Sequence, residues 1–246
     1  MDLKNKVVMI TGASSGIGKA TAMKLAKEGA SVVLCARSED ELNTLKDKIV
    51  KNGGKAIVVK TDVTKSADLK EAVSQTIKEY GSVDVLVNNA GLMPLSLIEK
   101  LKTDEWEKMV DVNIKGVLNG VAAVLPTMKK NKSGHIINMS SSAAHNYFPG
   151  GAVYCATKVA VKMFSEGLRK ELAPQYGINI TSIEPGAVDT SLFETITDAD
   201  IKEKLKDMKE MTKLEAEDIA NAIFYALNQP TRVNINDVYI MPTEQG

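Results

Sequence analysis

The chain has 246 residues, 44% of them apolar, and 31 basic residues balanced by 31 acidic ones. It is long enough to bury a substantial core and lacks the bulk charge of a nucleic-acid binder. No run of eighteen apolar residues marks a membrane span, and the opening MDLKNKVVMITGA has no signal-peptide h-region or cleavage site, so a cytoplasmic setting is expected. Cys35 and Cys155 both lie among apolar residues and read as two reduced core thiols. With only His135 and His145 and no CxxC, no metal site is expected.

Short apolar runs alternate with longer amphipathic ones. Strands are predicted at 7–10, 31–36, 55–60, 83–88, 135–140, 178–183 and 237–241. Helices are predicted at about 17–28, 39–52, 66–80, 103–130, 151–175 and 215–228, with a short one inside 197–210. This alternation implies an α/β fold, a parallel sheet with helices on both faces, and near-continuous apolar strands fit a sheet buried on both sides. No repeat or linker interrupts the pattern, so 1–246 reads as one domain.

The first strand runs into TGASSGIG, which opens the first helix. Gly12, Gly16 and Gly18 permit a tight turn and close approach to a pyrophosphate, and the helix start offers free N–H groups. The spacing is GxxxGxG rather than GxGxxG. The second strand ends in Ala36 and Arg37, with no carboxylate to grip a ribose 2′-hydroxyl; the Arg37 fork suits a 2′-phosphate instead, or lies in solvent. Glu39 and Asp40 read as first-turn acids of the next helix. Asp62, after the third strand, either accepts from an adenine or caps a helix. NNAG (88–91) ends the fourth strand, where Asn and Gly suit a ligand that approaches closely. Asn113 is a poor helix former inside a helical stretch, which implies a local irregularity or a polar partner for a buried amide.

Tyr154 and Lys158 stand four apart on a helix and share a face. A positive charge nearby favours the phenolate and lowers a phenol pKa, so the pair suits acid–base chemistry at an alcohol or carbonyl oxygen. Ser141, at the end of HIINMSS, can hydrogen-bond the same oxygen. YxxxK alone is not specific, because Tyr and Lys meet this way by chance on many exposed helices.

In their order and spacing, TGASSGIG, NNAG, Asn113, Ser141, YCATK and IEPGAVDT (183–190) resemble the short-chain dehydrogenase/reductase family over nearly the whole chain. The resemblance implies a seven-stranded Rossmann sheet and, commonly, a homotetramer. It makes Tyr154 the acid–base residue, Lys158 its pKa-lowering partner and ribose ligand, and Ser141, thirteen residues before Tyr154, the holder of the substrate oxygen. Asn113 would position a water relaying protons from Lys158. Cofactor contacts would come from Gly12, Ser14, Ser15, Gly16, Ile17, Gly18, Arg37, Ser38, Asp62, Val63, Asn88, Asn89, Ala90, Gly91, Pro185, Gly186, Val188 and Thr190. The ending PTEQ (242–245), with Glu184 before Pro185, is similar to a group of NADP-dependent aldehyde, carbonyl and hydroxy-acid reductases in the family.

The function this implies is an NADP(H)-dependent oxidoreductase acting on a carbonyl or secondary alcohol. A hydroxysteroid or 3-ketoacyl substrate in the same chemistry is the alternative, and a non-catalytic NADP-binding regulator is a third reading. Candidate substrate contacts are Met93, Pro94, His145, Tyr147 and Phe148. The segment 191–212 is expected to form a lid whose apolar side (Leu192, Phe193, Ile196, Ile201, Leu205, Met208) closes over the site.

Overall fold

The computed structural model describes residues 3–205 and 212–245. Seven strands, β1 (Val7–Thr11), β2 (Ser31–Ala36), β3 (Lys55–Lys60), β4 (Val85–Asn88), β5 (Gly134–Met139), β6 (Ile178–Pro185) and β7 (Asp237–Ile240), form one sheet. Their order is β3-β2-β1-β4-β5-β6-β7, and every neighbouring pair is parallel. This is the doubly wound Rossmann-like sheet that the alternation implied. The four central strands β1, β2, β4 and β5 are buried along their whole length, so the run VVMI and its counterparts need no polar alternation.

Helices cover both faces. On one side α1 (Gly16–Lys27), α2 (Glu39–Lys51) and α8 (Ala216–Leu227) bring Leu25, Leu42, Leu45, Ile219 and Ile223 against Val8, Ile10, Val32 and Leu34. On the other side α3 (Ser66–Tyr80), α5 (Gly116–Asn131) and α6 (Ala152–Tyr176) pack Leu69, Val121, Val124, Met128 and Leu168 against Met9, Val33, Leu86 and Ile136. Strand alternation decides which side each residue serves: Val8 and Ile10 face one core, Val7 and Met9 the other. Cys35 and Cys155 are free and buried.

The predicted helix at 103–130 is three pieces. It comprises α4 (Thr103–Met109), a π-helical turn at Val110–Lys115 and α5. Asn113 sits inside the π turn, 2% exposed, which is the irregularity that its poor helix propensity suggested. By length and apolarity the whole stretch Thr103–Asn131 is able to cross a bilayer, against the expectation of no candidate span. Its apolar residues Val117, Val121, Val124 and Met128 are instead buried in the protein. The short helix expected within 197–210 is α7 (Ala199–Lys204), with Asp198 as its N-cap.

His135 in β5 is 2% exposed, and its Nε2 lies 2.8 Å from the Thr181 hydroxyl. Burial pushes its pKa down from 6.5 to about 3. The unfolded chain takes up a proton there below pH 6.5, while the folded chain stays neutral down to about 3. The contribution to stability is therefore complete above pH 6.5 and falls steadily as pH drops toward 3. At pH 5 the loss is about 2 kcal/mol relative to pH 7. Urea titrations at both pH values should show this fall in the wild type and a flatter response in His135→Gln; equal slopes would refute a neutral buried imidazole.

Candidate active site

A parallel sheet sends all its strand ends to one edge. Here the chain leaves β1 for β2 and β3, then returns to place β4 on the other side of β1. The loops after β1 and β4 therefore diverge, and a crevice opens between them. The resulting cleft has a volume of about 1100 Å³.

One end of the cleft is a backbone cradle. Gly12 and Gly16 adopt φ of +66° and +49°, values that L side chains rarely take. A Cβ on Gly12 would also sit 2.9 Å from the Ala90 Cα, and one on Gly18 would collide with the Gly12 carbonyl oxygen. Ser15, the N-cap of α1, makes no side-chain bond to the first-turn N–H groups, so these remain available to an anion. Gly12, Ser14, Ser15, Gly16 and Ile17 line the cleft, whereas Gly18 is buried against the Gly12 carbonyl. Asn89 pins the turn by donating to the Thr11 and Gly12 carbonyls at 3.0 and 3.2 Å. Thr11, which the sequence reading passed over, ties β1 to β4: its hydroxyl accepts from the Asn89 and Ala90 N–H groups at 3.0 and 3.1 Å. A hydroxyl ending an apolar strand was the available signal.

Arg37, Ser38, Asp62 and Val63 line the same end. Glu39 is outside the lining and pairs with Lys60 at 4.0 Å, while Asp62 is the acid in the lining near Arg37. Asp62 does not cap α3, whose N-cap is Lys65. Its carboxylate accepts from the Thr64 N–H and hydroxyl at 3.0 and 2.8 Å, closing a tight turn. Although its slight burial acts to raise its pKa, these bonds and nearby Lys65 and Arg37 lower it on balance. Asn88 lies outside the cleft: it is buried and donates to Asn138 Oδ1 at 2.9 Å.

The opposite end carries Ser141, Tyr154 and Lys158, with Ala90 and Gly91 between the two ends. β5 delivers Ser141 at its end, and α6 delivers the other two on one face. Ser141 lies close enough to the Tyr154 phenol to lower its pKa, and its Oγ donates to the Pro185 carbonyl at 3.4 Å. Ser141 Oγ also accepts from the Ala143 N–H at 3.1 Å, which fixes its direction. Ser140 serves the backbone, donating to the Lys158 carbonyl at 2.9 Å. Lys158 Nζ donates to the Met139 carbonyl at 2.9 Å and sits 5.6 Å from the centre of the Tyr154 ring. Asn113 does not line the cleft itself. Its Oδ1 accepts from the Leu92 N–H, and its Nδ2 donates to the Leu92 carbonyl and Thr157 hydroxyl, at 3.0, 3.0 and 3.2 Å. Asn113 Oδ1 and Lys158 Nζ flank the same side of Gly91.

The electrostatics differ from the expected lowering of the phenol. Burial pushes Tyr154 up to about 12, and the Ser141 hydrogen bond offsets only part of that. Burial pulls the Lys158 ammonium down to about 8. Desolvation dominates because the ammonium is bonded to Met139 rather than to the phenol oxygen.

Pro185, Gly186, Val188 and Thr190 line the cleft beside this end. Met93, Tyr147 and Phe148 line it too, while Pro94 does not. His145 is not brought to the cleft. It contacts Glu184, lies 3.0 Å from Lys162 Nζ and packs on Tyr239 with ring centres 4.7 Å apart. From the expected lid, Leu192, Phe193, Ile201 and Leu205 line the cleft, Ile196 is buried in the adjoining cluster, and Met208 lies outside the described residues.

Residues 6–201 match the family described as short chain dehydrogenase. The chain belongs to that family. It is 50% identical to an uncharacterized oxidoreductase of Listeria monocytogenes, Lmo0432, over 100% of this chain and 99% of that protein. It is also similar to a serine dehydrogenase solved in its closed form with NADP+, with 33% identity, 98% and 96% coverage of the two chains and a TM-score of 0.90. An alcohol dehydrogenase of the archaeon Thermococcus sibiricus, solved with 5-hydroxy-NADP, shows 30% identity, 98% coverage of each chain and a TM-score of 0.86.

Proposed function

We propose that this short-chain dehydrogenase is an NADP(H)-dependent carbonyl reductase and alcohol dehydrogenase. The observation that carries the reading is that one cleft joins the glycine turn and Arg37 at one end to Ser141, Tyr154 and Lys158 at the other. The glycine turn, the uncapped start of α1 and the absence of an acid at the end of β2 suit a phosphorylated dinucleotide. The two NADP-bound structural neighbours support the same choice.

When bound, NADPH supplies the hydride. Ser141 and Tyr154, both in the lining of the cleft, hold the carbonyl oxygen. The raised pKa keeps the phenol protonated at neutral pH, which is the form that donates to the oxygen during reduction. Lys158, at about 8, is the stronger acid of the pair, so return of a proton to the tyrosinate is downhill. Asn113, beside Gly91 on the Lys158 side, would hold the water that links this relay to solvent. Around the reacting oxygen the cleft is lined by Met93, Leu95, Ala143, Phe148, Leu192 and Phe193, which favours apolar substituents on the substrate. The described part of the expected lid supplies two of these residues, and cover of the substrate end is its proposed role.

A cytoplasmic setting, which keeps Cys35 and Cys155 reduced, belongs to the same reading. So does a homotetramer: Leu118, Val159 and Met163 are exposed on α5 and α6, and Tyr225 and Tyr239 on α8 and β7, which gives two apolar faces for pairing.

Tyr154→Phe should lower kcat at least about a hundredfold and leave the NADPH dissociation constant nearly unchanged, because only the transferable proton is lost. Ser141→Ala should be similarly severe. Near-normal turnover of an aldehyde and ketone panel by either variant would remove that residue from the reaction. Arg37→Ala should reduce kcat/KM with NADPH by about ten- to a hundredfold and spare NADH, the value of one charge-assisted hydrogen bond. Equal wild-type kcat/KM for the two cofactors would mean that Arg37 does not select. Sedimentation equilibrium should give the mass of four chains; a monomer would end the tetramer proposal.

A further inference from the structure

The segment PTEQ (242–245) has no part in the proposed proton and hydride chemistry. Its placement gives it a task. The turn Thr243–Gln245 follows β7 and folds back beside the loop that leaves β6. Gln245 Oε1 accepts from the Ala187 N–H at 2.8 Å. Because that donor is a backbone N–H, the atom facing it is the oxygen, so the orientation of the carboxamide is fixed by chemistry. The Gln245 N–H donates to the Pro242 carbonyl at 2.9 Å, which holds the turn closed.

Gly186 reports how tightly the loop is seated. A Cβ there would lie 2.5 Å from Gln245 Oε1, 2.8 Å from Pro242 Cδ and 3.0 Å from Met241 Sδ. Three side chains of the 241–245 segment thus press on one glycine. Both Gly186 and Gln245 line the cleft. The other flank of the loop is held by Leu214, whose N–H donates to the Ala187 carbonyl at 3.0 Å and whose carbonyl accepts from Asp189 at 2.8 Å. The turn is itself anchored: Glu244 accepts from the Thr212 N–H and hydroxyl at 3.0 and 2.7 Å.

We propose that Gln245 is a positioning residue for the cofactor: its carboxamide clamps Ala187, and so sets the height of the 185–188 loop at the Tyr154 end of the cleft. This rests on the NADP(H) reading above. Without the clamp the Ala187 N–H loses its acceptor, and the loop is held from the Leu214 side and by the Gly186 bond to Ile240. Gln245 is only half-buried, so its replacement leaves the two cores intact.

Two variants separate the clamp from simple bulk. Gln245→Met keeps the length and removes the acceptor; Gln245→Glu keeps an oxygen facing Ala187. Two readouts are needed on the whole chain. Amide hydrogen exchange without cofactor reads the clamp itself, and fluorescence titration with NADPH reads its consequence. Gln245→Met should speed exchange at Ala187 by roughly tenfold. It should weaken NADPH binding by about three- to tenfold. Gln245→Glu should restore most of both. Unchanged Ala187 exchange in Gln245→Met overturns the clamp. Faster exchange with wild-type NADPH affinity overturns the positioning role, as does a Glu variant no better than Met in either readout. A wild type that binds no NADPH would fell the function reading instead, and Ala187 exchange would still decide the clamp.

Discussion

The parallel register of the sheet is the constraint on which the site depends. Each of the seven strands ends at the same edge, so each hands residues to the cleft as it leaves the sheet. β1 gives Gly12, β2 gives Arg37, β3 gives Asp62, β4 gives Asn89 and Ala90, β5 gives Ser141, β6 gives Gly186 and β7 gives Met241. In parallel pairing a slip of one residue would turn every side chain of a strand to the opposite face. Register is therefore fixed by the two buried cores, and the placement of the chemistry follows from packing rather than from contacts among the site residues.

Burial decides the proton energetics. Tyr154 and Lys158 are 5% and 8% exposed, and burial disfavours the charged form of each. The phenol moves up and the ammonium moves down, so the site rests with a neutral tyrosine. From the sequence the lysine charge is the dominant influence expected, as it is for a pair in direct contact in water. In the folded protein the ammonium is spent on the Met139 carbonyl, and desolvation wins.

Periodicity made the fold legible. Apolar runs of four to six residues became strands within one or two residues of the expected bounds, because a sheet buried on both sides tolerates no alternation. The start of β4, expected at 83, is observed at Val85, where Asp84 is drawn into bonds with Lys6 and the Val7 N–H. Local sequence also marked Asn113, since an amide that disfavours a helix interior needs a partner, and Leu92 supplies it twice. Roles set by distant partners were not legible. Asn88 and Asn89 are neighbours with the same side chain, yet Asn88 bonds Asn138 in the interior while Asn89 pins the glycine turn. His145 and Gln245 likewise take their roles from partners 39 and 58 residues away along the chain.

Glu184 shows why such partners matter energetically. Its residue is fully buried in β6, directly before the Pro185–Gly186 loop. Burial alone would raise its pKa, but bonds from His145, Lys162 and Ser182 outweigh it and hold the carboxyl below its usual range. Lys162 approaches at 2.9 Å and Ser182 at 2.8 Å. A buried carboxylate with one partner costs more than it returns, whereas one whose oxygens are satisfied by three groups is tolerated. Each of those groups comes from a different place: His145 from the loop that follows Ser141, Lys162 from the helix turn after Lys158, and Ser182 from β6 itself. The carboxylate thus binds the segment carrying Ser141 to the helix carrying Tyr154 through one point in the sheet. The spacing of the Ser141 and Tyr154 hydroxyls is in this way linked to a charge that lies outside the lining of the cleft.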